Sequence, residues 1–218
     1  EGSEEFHEFV EAFSTGRSDD GLVELIRRLY TFSTSYPYPK EWLVSCKDAY
    51  QISSVKEVEQ APWMQILKSD IERNLEEIRT LAEAGIALCR QEDGPYLYES
   101  ALSQDLKTVE QLLEADSFET QQEIFSNLSY ARLSGKKMPE ASENKKELVK
   151  SYRNQIKEGL NEIKEQYFAV PFETAVRYMQ EAAGPVGVLI DLTLRFSEVF
   201  AEKKREKNLL DYSDLEHF

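Results

Sequence analysis

Two cysteines, two histidines, nine glycines and seven prolines are a thin supply of the residues that build disulfide scaffolds, metal centres and loop-rich folds in a chain of 218 residues. Cys46 and Cys89 each sit inside a helical pattern and lack the CxxC spacing of a zinc or redox site, so they read as thiols packed in a core. No run approaches the ~18 consecutive apolar residues of a membrane span, and the acidic opening Glu1–Glu5 is the reverse of a signal peptide's basic start. The chain therefore reads as a cytoplasmic protein with no membrane partner. Positive charge is also scarce: 26 Lys and Arg face 41 Asp and Glu, a net charge of −15 that repels phosphate backbones and confines any nucleic-acid contact to a local patch.

What is present is helical periodicity. Apolar residues recur at steps of three and four almost throughout, and no strand-length alternation stands out, which predicts an all-α, irregular multi-helix bundle. Phe6, Phe9, Val10 and Phe13 suggest a short first helix, and Leu22, Leu25, Ile26, Leu29 and Phe32 a second. Pro39 opens a third that carries Trp42, Leu43 and Cys46 inward. After Ala61-Pro62 the stripe Trp63, Leu67, Ile71, Leu75, Ile78, Ala82, Ile86, Cys89 predicts a helix of roughly 28 residues, about 42 Å long. Leu102, Leu106, Val109 and Leu113 mark the next helix, and Phe118 to Leu128 a shorter one. A second long helix carries Leu148, Tyr152, Ile156, Leu160, Ile163 and Tyr167. Beyond Pro171 two helices are expected, Glu173 to about Glu181 and another starting at Gly184-Pro185. Gly135 to Lys145 is the expected flexible excursion. The chain starts without Met and stops at Asp214-Leu215-Glu216-His217-Phe218, inside a helical pattern, and reads as an excised piece.

Catalytic constellations are hard to assemble. Gly135-Lys136 is followed by Lys137 and preceded at the fifth position by Tyr130, so a phosphate-cradling GxxxxGK[ST] loop is absent, as is GxGxxG. Glu4-x-x-His7 and Asp214-x-x-His217 imitate the carboxylate-x-x-His pairs of di-iron bundles but lie at the two chain ends in polar surroundings, which favours solvated termini over a metal site. One segment departs from the acidic background. Between Ala131 and Lys157 eight basic residues, among them Arg132, Lys136, Lys137, Lys146, Lys150 and Arg153, meet only Glu140, Glu143 and Glu147, a local balance of +5. Lys146, Lys150, Arg153 and Lys157 follow one helix face at steps of four and three, expected to be exposed. Spacing alone leaves two readings open, a solvated face and a phosphate-tracking patch. Lys203-Lys204-Arg205 and Lys207 fall near a helix C-terminus, where cations suit the dipole.

The stretch Leu209-Leu210-Asp211-Tyr212-Ser213-Asp214-Leu215 resembles superfamily 1 DNA helicases, in which an Asp-aromatic-x-Asp-Leu motif marks the return from an inserted helical subdomain, 1B, to the first motor domain. Phe9-Val10-Glu11-Ala12-Phe13-Ser14, Arg17-Ser18-Asp19-Asp20, Leu25-Ile26-Arg27-Arg28-Leu29-Tyr30 and Ser35-Tyr36-Pro37-Tyr38-Pro39-Lys40-Glu41-Trp42-Leu43 are similar to the AddA family of helicase/nuclease proteins. The resemblance implies one helical 1B-like subdomain over residues 1–218, with 208–218 beginning the return to the motor. It implies two partners, DNA and a second, AddB-like subunit, and it implies ATP with Mg²⁺ for the longer protein. That protein would process double-strand DNA ends for repair. This chain, lacking Walker A, Walker B and nuclease motifs, is expected to need no cofactor and to have no ATPase activity of its own. Asp211, Tyr212, Asp214 and Leu215 would couple subdomain to motor by resemblance; locally, Asp211 suits a helix N-cap and Asp214 a first turn. The other class of reading is a helical protein-interaction module that never touches DNA.

Overall fold

The computed structural model describes Phe6, Phe9 and residues 20–210, and every regular element among them is helical. Phe6 and Phe9 are helical, Phe9 being buried. The chain divides into two compact units, Val55–Ala175 and Glu1–Ser54 with Val176–Phe218. Among the described residues no helix is long and apolar enough to cross a membrane.

The unit Val55–Ala175 is organised by α4 (Pro62–Cys89), which follows the short α3 (Val55–Gln60). Pro62 has no N–H to leave orphaned in the first turn, and 28 residues follow the predicted stripe, with Ile71, Leu75, Ile78, Ala82, Ile86 and Cys89 buried. A 3₁₀ turn (Tyr96–Tyr98) leads into α5 (Glu99–Glu114), then α6 (Phe118–Ser126) and α7 (Glu143–Tyr167). Ser117 caps α6 by accepting the Thr120 amide at 3.1 Å. α4 packs against both α5 and α7, and glycines let it approach them: a Cβ on Gly85 would collide with Leu102 of α5, and one on Gly159 of α7 would lie 2.9 Å from Ile78. Phe168 stacks on Phe118 at 4.4 Å and on Phe125 at 4.7 Å between ring centroids, closing the core at the end of α7.

In the other unit α1 (Asp20–Ser33) and α2 (Pro39–Ala49) join most of α8 (Phe172–Glu206). Lys47 of α2 donates to Asp191 of α8 at 2.7 Å, and Tyr30 of α1 meets Phe196 edge-on at 5.2 Å. The break expected at Gly184-Pro185 does not occur, since α8 runs through both residues. A helix-interior proline removes one backbone bond and costs about 3 kcal/mol. Both Pro185 and Glu181, whose carbonyl loses its donor, are exposed. Water can therefore take that carbonyl, while buried Val176, Ile190 and Thr193 hold the helix on either side.

Candidate nucleic-acid interface

Residues 127–142, between α6 and α7, form a non-helical strap. Met138 and Ala141 insert into a cluster with Ile86, Cys89, Tyr98, Leu102 and Val149, and Leu133 packs against it. The strap is tied at its entry as well. The Tyr130 hydroxyl donates to the Asn161 side-chain oxygen at 3.2 Å, and its ring lies 5.1 Å beneath Lys157 Nζ. At the exit the Ser142 amide donates to the Asp93 carbonyl at 2.9 Å, and Lys145 pairs with the Asp93 carboxylate. The expected flexible excursion is thus an anchored segment, because its apolar residues fill the gap between α4, α5 and α7.

Arg153 supplies the deepest anchor. Helical spacing puts it on the face expected to be exposed, yet it is 3% exposed. Its Nε donates to Asp105 Oδ2 at 2.7 Å and its Nη2 to the Ala131 carbonyl at 2.5 Å. The reason is helix phase. The buried stripe of α7 keeps Ile156, Leu160 and Ile163 as read but begins with Val149 and Arg153 in place of Leu148, which is exposed, and Tyr152; one residue turns a helix face by about 100°. Asp105 likewise lies on a stripe of α5, Leu102, Asp105, Val109, Leu112. A charge on each of two apolar stripes is the available signal for this pair; the expected patch counts Arg153 as a surface cation and omits Asp105. Burial, with the Asp105 charge adding to it, pushes the Tyr130 hydroxyl up to about 12, so it stays a neutral hydrogen-bond donor.

The remaining cations divide into two groups. Lys146 pairs with Glu143 and Lys150 with Glu147, both at 2.7 Å, and the Lys146 side chain is only 13% exposed. The Lys146 ammonium holds Glu143 below the usual carboxylate range, and the Glu147 carboxylate raises Lys150. Arg132, Lys136 and Lys137 are exposed and make no ion pair among the described residues. They can offer charge to a phosphate without first giving up a carboxylate. The cluster at the end of α8 is engaged locally, Lys203 with Glu206 at 2.7 Å and Lys204 over the Phe200 ring at 4.9 Å.

Asp211, Tyr212, Asp214 and Leu215 lie outside the described residues, as do Glu4, His7 and His217. Among the described residues no group of three His, Cys, Asp or Glu could hold a metal ion. Every buried polar side-chain atom among them has a partner. Cys89 is fully buried and its thiol is pushed up to about 11 by burial, which removes it as a nucleophile near neutral pH.

These observations define an all-helical segment whose cationic feature best suited to an anion is an anchored surface strap. No protein-family model matches the chain. Along its whole length it is 39% identical to a region of an ATP-dependent helicase/nuclease subunit from Lachnoclostridium phytofermentans. Over 98% of its length it is 31% identical to the protein of that name from Oceanobacillus iheyensis, and over all of it 30% identical to that from Bacillus pumilus. It spans only 16%, 17% and 18% of these three relatives. The chain is homologous to that region of the helicase/nuclease, the AddA protein its sequence resembles.

Proposed function

We propose that this chain is a non-catalytic helical part of an ATP-dependent helicase/nuclease and touches the nucleic-acid backbone through Arg132, Lys136 and Lys137. The observation that carries this reading is the contrast within the basic segment: three exposed cations, unpaired among the described residues, stand on an anchored strap in a chain of net charge −15. Lys146 and Lys150 reinforce the local potential from within their own ion pairs, and Arg153 holds the strap in place. The relatives' name supports ATP dependence, helicase and nuclease activity and a further subunit for the longer protein; a cytoplasmic setting, Mg²⁺, an AddB-like identity for that subunit, DNA ends for substrate and a 1B-like position for this chain rest on the resemblance of the sequence motifs. Nothing in this chain's motifs is built to hold ATP or Mg²⁺, and no step of this reading runs through them.

Backbone contact has a specific signature, because each neutralised phosphate releases condensed counterions. Binding of the 218-residue chain to duplex ends should be weak, in the range of about 10⁻⁴ to 10⁻⁶ M, insensitive to sequence, and steeply weakened by salt. Affinity that ignores salt, or no binding at low salt, leaves the protein-interaction module as the reading.

A further inference from the structure

The segment Arg27–Lys40 holds three cations, Arg27, Arg28 and Lys40, four aromatics, Tyr30, Phe32, Tyr36 and Tyr38, and no carboxylate. In a chain where acids outnumber bases 41 to 26, this interleaving of aromatic and basic residues is local and unusual. It occupies the end of α1 and the turn into α2, within one of the two compact units.

The rings are assembled at the surface. Tyr36 and Trp42 stack at 4.3 Å with their planes 13° apart, and Phe32 leans against both, 5.9 Å from Tyr36 and 5.5 Å from Trp42. Phe32 is nevertheless 56% exposed, so its neighbours support the ring without covering it. Beside it Glu24, Arg27, Arg28, Thr31, Phe32 and Ser35 line an open groove of about 440 Å³. Glu24 holds Arg28 at 2.8 Å, one helical turn before Phe32, while the exposed Arg27 has no ion-pair partner among the described residues.

We propose that this surface is a stacking platform for single-stranded nucleic acid, with a base laid on Phe32 and the neighbouring phosphate met by Arg27. A supported, exposed ring beside an uncommitted guanidinium is the combination that sequence-tolerant single-strand sites use, since every base offers a π-face. Inside a duplex each base is stacked on both sides and offers no such face. The inference stands apart from the strap: the residues differ, and the platform adds to its phosphate contact a stacked base, which the strap does not have.

The test uses the 218-residue chain with Trp63→Phe, which leaves Trp42 as the single tryptophan. Two probes are titrated, an oligothymidylate and an abasic deoxyribose-phosphate oligomer of equal length. The platform requires quenching of Trp42 by the thymidylate and a preference for it of about 5- to 150-fold, the worth of one stacked base. Phe32→Ala should abolish that preference. Phe32→Leu, which keeps an apolar side chain without a ring, should abolish it too and serves if the alanine variant unfolds. Arg27→Gln should weaken both probes alike. Alanine at Arg132, Lys136 and Lys137 should also weaken both yet leave the preference intact, so failure of the strap and failure of the platform are separable. Equal binding of the two probes by the parent, or a preference surviving both Phe32 variants, overturns the proposal and marks the aromatic surface as one that packs against protein.

Discussion

The two halves of the basic segment carry similar charge in sequence and have opposite fates in the structure. Along α7, Lys146 and Lys150 are matched by Glu143 and Glu147 three residues earlier, and Arg153 is matched across the core by Asp105. On the strap, Arg132, Lys136 and Lys137 stand apart from the described carboxylates, since a segment with no helical repeat brings none back alongside them. Helical spacing neutralises charge automatically wherever acids and bases alternate at three or four residues; an irregular segment does not. Positive charge counted in a window is therefore a poor guide to positive charge available to a ligand. Backbone regularity decides which lysines are free.

The comparison breaks most sharply at Asp105. Asp105→Ala leaves the Arg153 guanidinium buried without a counter-charge and should cost about 3–5 kcal/mol in urea unfolding. A double replacement, Asp105→Leu with Arg153→Met, should recover part of that loss, leaving the Ala131 carbonyl as the unpaired group. A double variant as unstable as the single one would mean that the pair matters only as a tether for the strap.

Next comes the contrast in binding. Alanine at Arg132, Lys136 and Lys137 should lower the slope of log affinity against log salt by about three, roughly one per lost phosphate contact. Alanine at Lys145, Lys146 and Lys150 should change it far less, because those cations already have partners. Equal effects from the two triple variants would erase the distinction.

A smaller effect reads the strap's anchoring. Cys89 shares one buried cluster with Met138 and Ala141, and its thiol is pushed up to about 11. At pH 8 iodoacetamide should label the half-buried Cys46 well before Cys89, and Met138→Ala should accelerate labelling of Cys89 specifically. Unchanged protection of Cys89 would show that the strap does not cover it.

The smallest effect is confined to the strap's exit. The hydrogen bond from Lys145 holds the Asp93 carboxyl below its ordinary value of about 3.9. A lowered folded-state value means this tether contributes fully above about pH 4 and is lost as pH falls through the lowered value. Carbon-13 titration of Asp93 should show the depression, and Lys145→Ala should return it toward the unperturbed value. A normal Asp93 titration in the parent removes the tether.

Periodicity makes much of the architecture legible. The stripe from Ile71 to Cys89 is buried as read, and the helix starts at Pro62 and has the 28 residues that the stripe predicts. Other readings fail where local signals are weak or outvoted. α3 escapes a periodicity reading because six residues carry too little of the repeat to register. Pro185 reads as a break because a proline rule is local, whereas the helix is held by packing on both sides. In the candidate interface, taking Leu148 and Tyr152 for the inward face of α7 shifts the phase by one residue, and that shift turns a core arginine into an expected DNA contact.

Residue order is enough to make the chain helical, to place the long helices α4 and α7 and the irregular segment before α7, and to reveal which larger protein it resembles. Those are properties of residues within a few turns of one another, or of matches to related chains. Packing in three dimensions settles which cations remain free, anchors the strap, and gathers Phe32, Tyr36 and Trp42 at one surface. Ion pairing and burial depend on partners such as Asp105 and Arg153, 48 residues apart along the chain, and no local pattern specifies which of many possible partners the packed core brings within 2.7 Å.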